Sequence, residues 1–495
     1  MVGTAEAVER RTTPRAHHGW LRRMRVAFVP GPVTAALERT VAELAAALAR
    51  GGHEGQAQPD SKTDLLLTTA AWGEPIPWRA SMLFSARRRF GLPHAPTVVT
   101  LLHATPAQLQ VRLDELAAAL ARAAPSSRDF SYPGLTERAH RVLREQGLRG
   151  GAMLALVRLV QSQALSIRAV LVVGEERPDA AYYFDLVGAH PRVECGRTEA
   201  FYDDMVTRLA TAVSTHEVVE HEFVSPDVTA EAWRAATTPA AMQRAAEELD
   251  RRRFFTEMVR IADLVDVPAL ADAVAAQYSE GCFATWDPDL GGLVSTVTGS
   301  ARPVDKGRIT DADLALIVGT RPDGLGAQVR TIEGRPPTPP SSEAVEMMMM
   351  DADLPQVPLE GRGNGAGRVP VLRSKLHGHR GVASFDPRQV EFVPLDPAYH
   401  DYPVSCGTQA QAHGIQEAFR RSEAARSPND PRRIVFTVLP GHGVVLGEMW
   451  SPGKAPFQLL WEAMDSGALE LVSEVPQGRY TYRPRGPERL ELLEE

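Results

Sequence analysis

The segment Arg25-Val26-Ala27-Phe28-Val29-Pro30 is followed by an amphipathic stretch from Thr34 to Arg50. The apolar run predicts a buried strand, and apolar residues at helical spacing predict a helix that ends at Gly51-Gly52. Two more short apolar runs, at 64–69 and 97–103, predict further strands. Alternating buried strands and helices are typical of a parallel sheet with helices packed against it. This region therefore predicts a doubly wound α/β unit.

A second α/β unit is predicted to begin at the apolar run Ile167–Gly174, with helices expected at 202–213 and 231–250. After Cys282-Phe283-Ala284-Thr285-Trp286 the chain becomes rich in short β-branched runs, glycine and proline. We therefore predict an α/β protein with two doubly wound parallel-sheet units followed by a β-rich C-terminal domain. The expected divisions are a disordered N-terminal extension (1–24), an N-terminal α/β domain (25–166), a second α/β domain (167–330), a Gly/Pro-rich loop or linker (331–368) and a β-rich C-terminal domain (369–495).

Composition narrows the class of protein. A chain of 495 residues with 44% hydrophobic and 23% charged residues can form two or three globular domains. The net charge of −8 and the lack of a long basic run argue against nucleic acid as the main partner. No apolar run approaches the length of a membrane span, and the first 24 residues lack the apolar core of a signal peptide. Three scattered cysteines, Cys195, Cys282 and Cys406, are typical of a reducing compartment. We expect a cytoplasmic protein, with a homo-oligomer as a further expectation.

The segment Leu376-His377-Gly378-His379-Arg380-Gly381 is the strongest chemical signal in the sequence. A His-x-His on a strand places both imidazoles on one face, because strand side chains alternate. Imidazole is the commonest metal-binding side chain and a general base near neutral pH. Two further histidines, His413 and His442, also lie beside glycine. We therefore expect the chemistry in the second half of the chain.

A metal site at His377 and His379 would need more ligands. Carboxylates upstream and histidines downstream are available, and two carboxylates with one or two histidines would suit Mn²⁺. The alternative is that one histidine is exposed and the other is bound by a backbone carbonyl, with no metal involved. The further candidate ligands are Glu343, Glu346, Asp351, Asp353, His400, His413 and His442.

Other polar and aromatic residues are candidates for binding a substrate. Ser300, Arg302 and Lys306 lie in a polar turn after an apolar strand, where they would bind a carboxylate or sugar hydroxyls; an ordinary turn is the alternative. Trp286 would stack on a sugar ring or pack in the core. The glycine-rich segment Gly361–Arg368 would hold an anion or form a simple loop tip.

The order of two α/β units, an acidic mixed segment and a β-rich domain with histidines resembles the L-fucose/L-arabinose isomerase-like superfamily. The residues that carry this resemblance are Glu280–Trp286, Glu343–Asp353 and the glycine-flanked histidines. In that superfamily a divalent metal, usually Mn²⁺, binds two adjacent sugar oxygens while an acid/base pair moves protons through an enediol. The resemblance implies a metal-dependent sugar isomerase with a carbohydrate substrate. It implies Glu346 and Asp351 as metal ligands or bases, with His377 or His413 completing the shell. Together with the His-x-His pair and the neighbouring Arg380, this gives the predicted metal ligands Glu346, His377, His379 and His413, and the predicted catalytic residues Glu346, Asp351 and Arg380.

Two other resemblances lead to different functions. Pro340-Ser341-Ser342-Glu343 followed by His377-x-His379 is similar to the class II sugar-phosphate aldolases, in which a glutamate and three histidines frame a zinc ion. The opening strand and helix of the chain, Arg25 to Glu54, resemble the first unit of two-domain glycosyltransferases. The second resemblance would make this a sugar-binding or transferase-like α/β protein without metal chemistry.

Overall fold

The computed structural model describes most of the chain in segments. These are residues 21–29, 31–71, 97–111, 114, 118, 167–185, 188–191, 198–215, 219–254, 281–297, 303–359, 367–402, 404, 407–427, 429–472 and 480–494. Among these residues no helix is both long and apolar enough to cross a membrane.

The first sheet has seven strands in the order β2-β1-β3-β4-β5-β6-β7. The first five strands in that order are parallel, and β6 and β7 continue the sheet as antiparallel strands. The strands are β1 (Arg25–Val29), β2 (Glu54–Gln56), β3 (Leu65–Ala71), β4 (Thr97–Ala104), β5 (Ile167–Val173), β6 (Ala180–Asp185) and β7 (Gly188–Pro191).

Two helices, α1 (Ala35–Arg50) and α2 (Thr198–Thr215), cover one face of this sheet and share its core. The hydroxyl of Thr34 accepts a hydrogen bond from the amide of Leu37 and so caps α1. A doubly wound sheet carries helices on both faces, whereas both of these helices pack on the same face. The parallel α/β character is confirmed, and the doubly wound arrangement is not shown by the described residues.

The second sheet has nine strands in the order β17-β18-β19-β15-β9-β10-β11-β12-β8. Neighbours are antiparallel except for the pairs at its two edges, β17 with β18 and β12 with β8. The strands are β8 (Glu222–Val228), β9 (Cys282–Asp287), β10 (Gly292–Thr296), β11 (Leu314–Thr320), β12 (Ala327–Ile332), β15 (Leu372–Gly378), β17 (Val390–Phe392), β18 (Ile434–Leu439) and β19 (Gly443–Met449).

Helices cover both faces of the nine-stranded sheet. One face packs against α3 (Ala230–Ala235), α4 (Thr238–Arg251) and α8 (Gln458–Asp465). The other face packs against α5 (Ala344–Met349) and α7 (Gln409–Ala425). The remaining elements are the short helix α6 (Ala398–Asp401), 3₁₀ turns at Pro303–Arg308 and Asp311–Asp313, a pair β13 (Val357–Pro358) and β14 (Arg368–Val369), and a small sheet of β16 (Gly381–Phe385), β20 (Leu469–Val472), β21 (Tyr480–Pro484) and β22 (Leu490–Glu494).

The strand pairing divides the chain differently from the predicted domains. Residues 167–191 continue the first sheet, whereas β8 to β12, also within the predicted second α/β domain, join the C-terminal strands in the nine-stranded sheet. The second predicted parallel sheet therefore does not form from these strands. Local patterns identify strands correctly but carry little information on which distant strand becomes the neighbour, because pairing is decided by tertiary packing.

The described part of the predicted linker 331–368 contains ordered structure. It includes α5, in which Met347 is fully buried in the core between the sheet and α7. Met349 and Met350 of the same methionine run are also buried, so the run packs in the core.

Glu448 on β19 anchors the start of α8. Its carboxylate accepts hydrogen bonds from the amides of Phe457, Leu459 and Leu460 and from the hydroxyl of Ser374, at 2.9–3.2 Å. Burial nevertheless raises the pKa of Glu448 to about 7, because it outweighs these hydrogen bonds. The folded protein thus favours the protonated carboxyl. The stabilisation from that preference is complete below the unfolded pKa of about 4.3 and is lost as pH rises through about 7.

We expect Glu448→Gln to remove this pH dependence, because an amide cannot ionise. Between about pH 5 and pH 8 the wild type should lose about 1–3 kcal/mol of unfolding free energy relative to the variant. Urea unfolding at both pH values measures the difference. The control is Glu462→Gln on the exposed side of α8, which should leave the wild-type dependence unchanged. Equal pH dependences for the wild type and Glu448→Gln would contradict the assignment.

Candidate metal centre

Three elements of the nine-stranded sheet and its helical layer meet at one buried point. Strand β15 contributes His377, the residue just after β15 is His379, the turn between β18 and β19 contributes His442, and the residue before α5 is Glu343. One ligand atom from each of these four residues lies within 4.8 Å of all the others. Glu343, His377 and His442 are buried, and His379 is partly exposed. This buried group of one carboxylate and three imidazoles can hold a metal ion.

Strand β15 places its histidines by register. It lies between β19 and β9, where His377 is directly opposite Val445 on one side and Cys282 on the other. The side chain of His377 therefore shares the face of Cys282, towards α5 and α7. His379 follows two residues later, and its ring centroid lies 5.4 Å from that of His377. The two imidazoles of the His-x-His pair therefore lie close together, although only His377 belongs to the strand.

The turn that carries His442 depends on glycine. Gly441 has a left-handed φ of +69°, a conformation that glycine adopts without a steric cost. At Gly443, a β-carbon would come within 2.2 Å of the carbonyl oxygen of Gly378, so the two strand ends approach too closely for any side chain. This close approach stacks the ring of His442 on that of His377, with 4.8 Å between centroids.

Backbone contacts with β10 anchor the segment that holds Glu343. Pro340 forms an isolated bridge with Val297, and the amide of Ser341 donates to the carbonyl of Thr296 at 3.1 Å. Oε1 of Glu343 then lies 3.2 Å from Nε2 of His442 and 3.3 Å from Nε2 of His377. A tetrahedral ion with bonds of about 2.0–2.1 Å sets its ligand atoms about 3.3 Å apart, so these separations fit a shared metal ion.

The tautomer of His377 is fixed by the backbone. Its Nδ1 lies 3.0 Å from the carbonyl oxygen of Val444, which can only accept, so Nδ1 carries the proton. In the neutral ring Nε2 is then a lone-pair acceptor, and among the described residues it has no hydrogen-bond partner. It nevertheless points its lone pair at the acceptor Oε1 of Glu343. Two buried acceptors this close require a cation between them, either a proton or a metal ion.

The charges of the group are those that a metal ion needs. Burial alone would raise the pKa of Glu343, but the neighbouring imidazoles of His377 and His442 hold it well below its usual range. Burial, together with the neighbouring His379, lowers the pKa of His442 to about 3. The site therefore presents an anionic carboxylate and a neutral imidazole at physiological pH, the protonation states in which both residues bind metals.

Two further titratable groups lie beside Glu343. Burial and the charge of Glu343 raise the pKa of Glu346 well above its usual range. Oε1 of Glu346 accepts from the amide of Gly407 at 2.8 Å, and its buried Oε2 has no hydrogen-bond partner among the described residues. The thiol of Cys282 donates to Oε2 of Glu343 at 3.3 Å, and burial followed by the charge of Glu343 raises the pKa of Cys282.

The structure brings together only part of the ligand set predicted from sequence. His377 and His379 belong to the group, whereas His413 is exposed on α7 and Glu346 is beside the group but not in it. Glu343 and His442 take the remaining two places. Both were visible in the sequence, Glu343 as an acid preceding the His-x-His pair and His442 as a histidine with glycine on both sides.

The residues predicted for catalysis and substrate binding are dispersed. Asp351 forms a buried ion pair with Lys375, and Arg380 lies over the ring of Phe254 in the core on the opposite face of the sheet. Trp286 packs against the core on the α5–α7 face. Lys306 is buried and donates to the carbonyl of Gly281, the residue before Cys282. Ser300 and Arg302 lie outside the described residues, as does most of Gly361–Arg368.

Comparison of the chain with protein-family models, with curated protein sequences and with solved structures found no match in any of the three.

Proposed function

We propose that the protein is a metal-dependent lyase of the class II aldolase type, which breaks and forms a carbon–carbon bond in a small carbohydrate. The observation that carries this proposal is the convergence of Glu343, His377, His379 and His442 on one point. A glutamate and three histidines around a zinc ion is the ligand set implied by the aldolase resemblance of Pro340–Glu343 and the His-x-His pair. The isomerase resemblance implies two acidic ligands, and this group contains one.

The donor set also supports a particular class of metal. Three imidazole nitrogens and one carboxylate oxygen suit Zn²⁺ or Fe²⁺ better than Mn²⁺, which favours more oxygen ligands. The sequence led to Mn²⁺ because two carboxylates were expected. We therefore propose Zn²⁺ as the first metal to test, and Mn²⁺ as the second.

Glu346 is the group that we propose to move protons. In aldol cleavage one proton leaves a hydroxyl oxygen and one arrives at the carbon that loses its bond. A single acid–base group can accept the first proton and donate the second. Glu346 is buried next to the group, its Oε2 is available, and its pKa is raised. The charge of a nearby divalent ion would lower this raised pKa again, because it favours the ionised carboxylate. The ion itself would supply Lewis-acid stabilisation of the oxygen that becomes negative.

The direction of substrate approach follows from burial. Glu343, His377 and His442 are enclosed by β15, the β18–β19 turn and α5, whereas His379 is partly exposed. We propose that the substrate reaches the ion from the side of His379 and binds through two neighbouring oxygens.

A structural role for the ion is the second candidate function. Its support is that three of the four ligands are buried and come from separate elements, as in sites where a metal stabilises the fold. In that case the ion would raise stability without turnover.

The test uses protein purified without a histidine tag, stripped of metal and reloaded with Zn²⁺ or Mn²⁺. Cleavage of a panel of ketoses and ketose 1-phosphates is monitored through the aldehyde that it releases. Aldose–ketose interconversion is monitored in parallel. We expect the metal-loaded protein to release aldehyde and the metal-stripped protein to release none. Interconversion without cleavage would favour the isomerase, and higher thermal stability with no turnover would favour the structural ion.

Glu346→Gln separates chemistry from metal binding. We expect the variant to keep its metal, since Glu346 is not in the ligand group, and to lose turnover by about 10²–10⁴-fold, the usual contribution of general acid–base catalysis. Glu417→Gln, an exposed substitution on α7, is the matched control and should leave turnover unchanged. Full activity in Glu346→Gln would remove Glu346 from the proposed chemistry.

A further inference from the structure

Cys282 lies directly beside the ligand group and is not one of its members. It is the first residue of β9, is fully buried, and pairs in register with His377 on β15. Its sulfur is not among the atoms that converge within 4.8 Å of one another. It contacts the group through one hydrogen bond, from its thiol to Oε2 of Glu343 at 3.3 Å.

The two oxygens of Glu343 have different surroundings. Oε1 faces His442 at 3.2 Å and His377 at 3.3 Å, on the side where the ion would lie. Oε2 accepts the hydrogen of the Cys282 thiol at 3.3 Å. The thiol hydrogen bond occupies one lone pair of Oε2 and so favours ion binding through Oε1 alone.

We propose that Cys282 is a positioning residue of the metal centre, which holds Oε2 of Glu343 so that Oε1 alone binds the ion. This inference rests on the proposed metal site and adds to it the control of carboxylate geometry. The thiol does not touch the ion or the substrate; it acts through Glu343. Binding through one oxygen leaves more of the coordination sphere open for a substrate.

Three substitutions separate the hydrogen bond from the volume of the side chain. Cys282→Ser keeps a donor, Cys282→Val fills the space with a slightly larger side chain that has no donor, and Cys282→Ala keeps neither the donor nor the volume. Loss of a hydrogen bond to a metal ligand typically lowers metal affinity about 10- to 100-fold. We therefore expect the valine and alanine variants to bind metal about 10- to 100-fold more weakly. The serine variant should change in affinity by at most about threefold. Val329→Ala, in the same core but on the distant strand β12, is the packing control and should bind metal as the wild type does.

Zn²⁺ affinity is measured by competition with a chromophoric chelator, and the visible spectrum of the Co²⁺-loaded protein reports the coordination number. We expect the Co²⁺ spectrum to change in the valine and alanine variants and to stay as in the wild type in the serine variant. Two results would overturn the positioning role but leave the metal site in place: wild-type Zn²⁺ affinity in the valine and alanine variants, or a serine variant that binds Zn²⁺ as weakly as the alanine variant. A wild-type protein that binds no Zn²⁺ or Co²⁺ would overturn the metal site itself.

Discussion

Replacement of His377 by alanine is expected to abolish stoichiometric metal binding. The substitution removes a buried ligand and also the acceptor atom that faces Oε1 of Glu343. Removal of a direct ligand should weaken Zn²⁺ binding by more than the roughly 10- to 100-fold typical of outer-shell changes. The metal content of untagged protein, measured by elemental analysis, should fall from about one ion per chain to a small fraction of that.

His377→Ala also leaves a cavity in the core, so a second variant is needed to separate metal loss from unfolding. His379→Ala removes a partly exposed ligand and should lose metal with a smaller effect on the fold. His413→Ala is the matched control, because His413 is exposed on α7 and lies outside the group. Metal content that falls in His413→Ala, or that stays unchanged in both ligand variants, would contradict the site.

Replacement of Lys375 by methionine is expected to cause the largest loss of stability. Nζ of Lys375 lies 2.7 Å from Oδ1 of Asp351, and both side chains are 2% exposed. Removal of one partner of a buried ion pair leaves an uncompensated charge and typically costs about 3–5 kcal/mol. Oδ2 of Asp351 also accepts from the amide of Leu372 at 2.7 Å, so the ion pair fixes the end of the α5 segment onto β15.

Urea unfolding measures this effect, and two variants serve as controls. The double variant Lys375→Met with Asp351→Asn should recover most of the loss, since the amide oxygen can still accept from Leu372 and no charge remains. Lys454→Met, which breaks the exposed pair with Glu462, should cost at most about 1 kcal/mol. Metal content per folded chain should stay at the wild-type level in all three. Loss of metal in the double variant would instead support the catalytic or ligand role that the sequence suggested for Asp351.

The parts of the site that the sequence predicts are those governed by local geometry. The short spacing of His377 and His379 predicts that their imidazoles lie close together, and their ring centroids are 5.4 Å apart, although only His377 is on β15. The glycines around His442 reflect the close approach of Gly443 to Gly378. In the same way, the apolar run and the helical spacing from Thr34 to Arg50 predict β1 and α1 to within one residue of the observed ends.

The parts that the sequence does not predict depend on distant contacts. Glu343 lies on a segment in which Pro340 pairs with Val297 and Ser341 with Thr296 at the end of β10, and nothing near Glu343 in the sequence signals these contacts. The helix α7 was not predicted, because its buried face consists mainly of alanine, Gly414, Ile415 and Phe419 and gives a weak periodic pattern. The assignment of β8 to the edge of the nine-stranded sheet likewise depends on its pairing with β12, about a hundred residues later in the chain.

The most direct test of the metal centre is anomalous diffraction at the Zn edge from crystals of the zinc-loaded protein. The proposed site predicts a single strong peak about 2.0–2.2 Å from Oε1 of Glu343 and from the imidazole nitrogens of His377, His379 and His442. A peak at any other position, or none at the meeting point of these four residues in protein that contains zinc, would contradict the account.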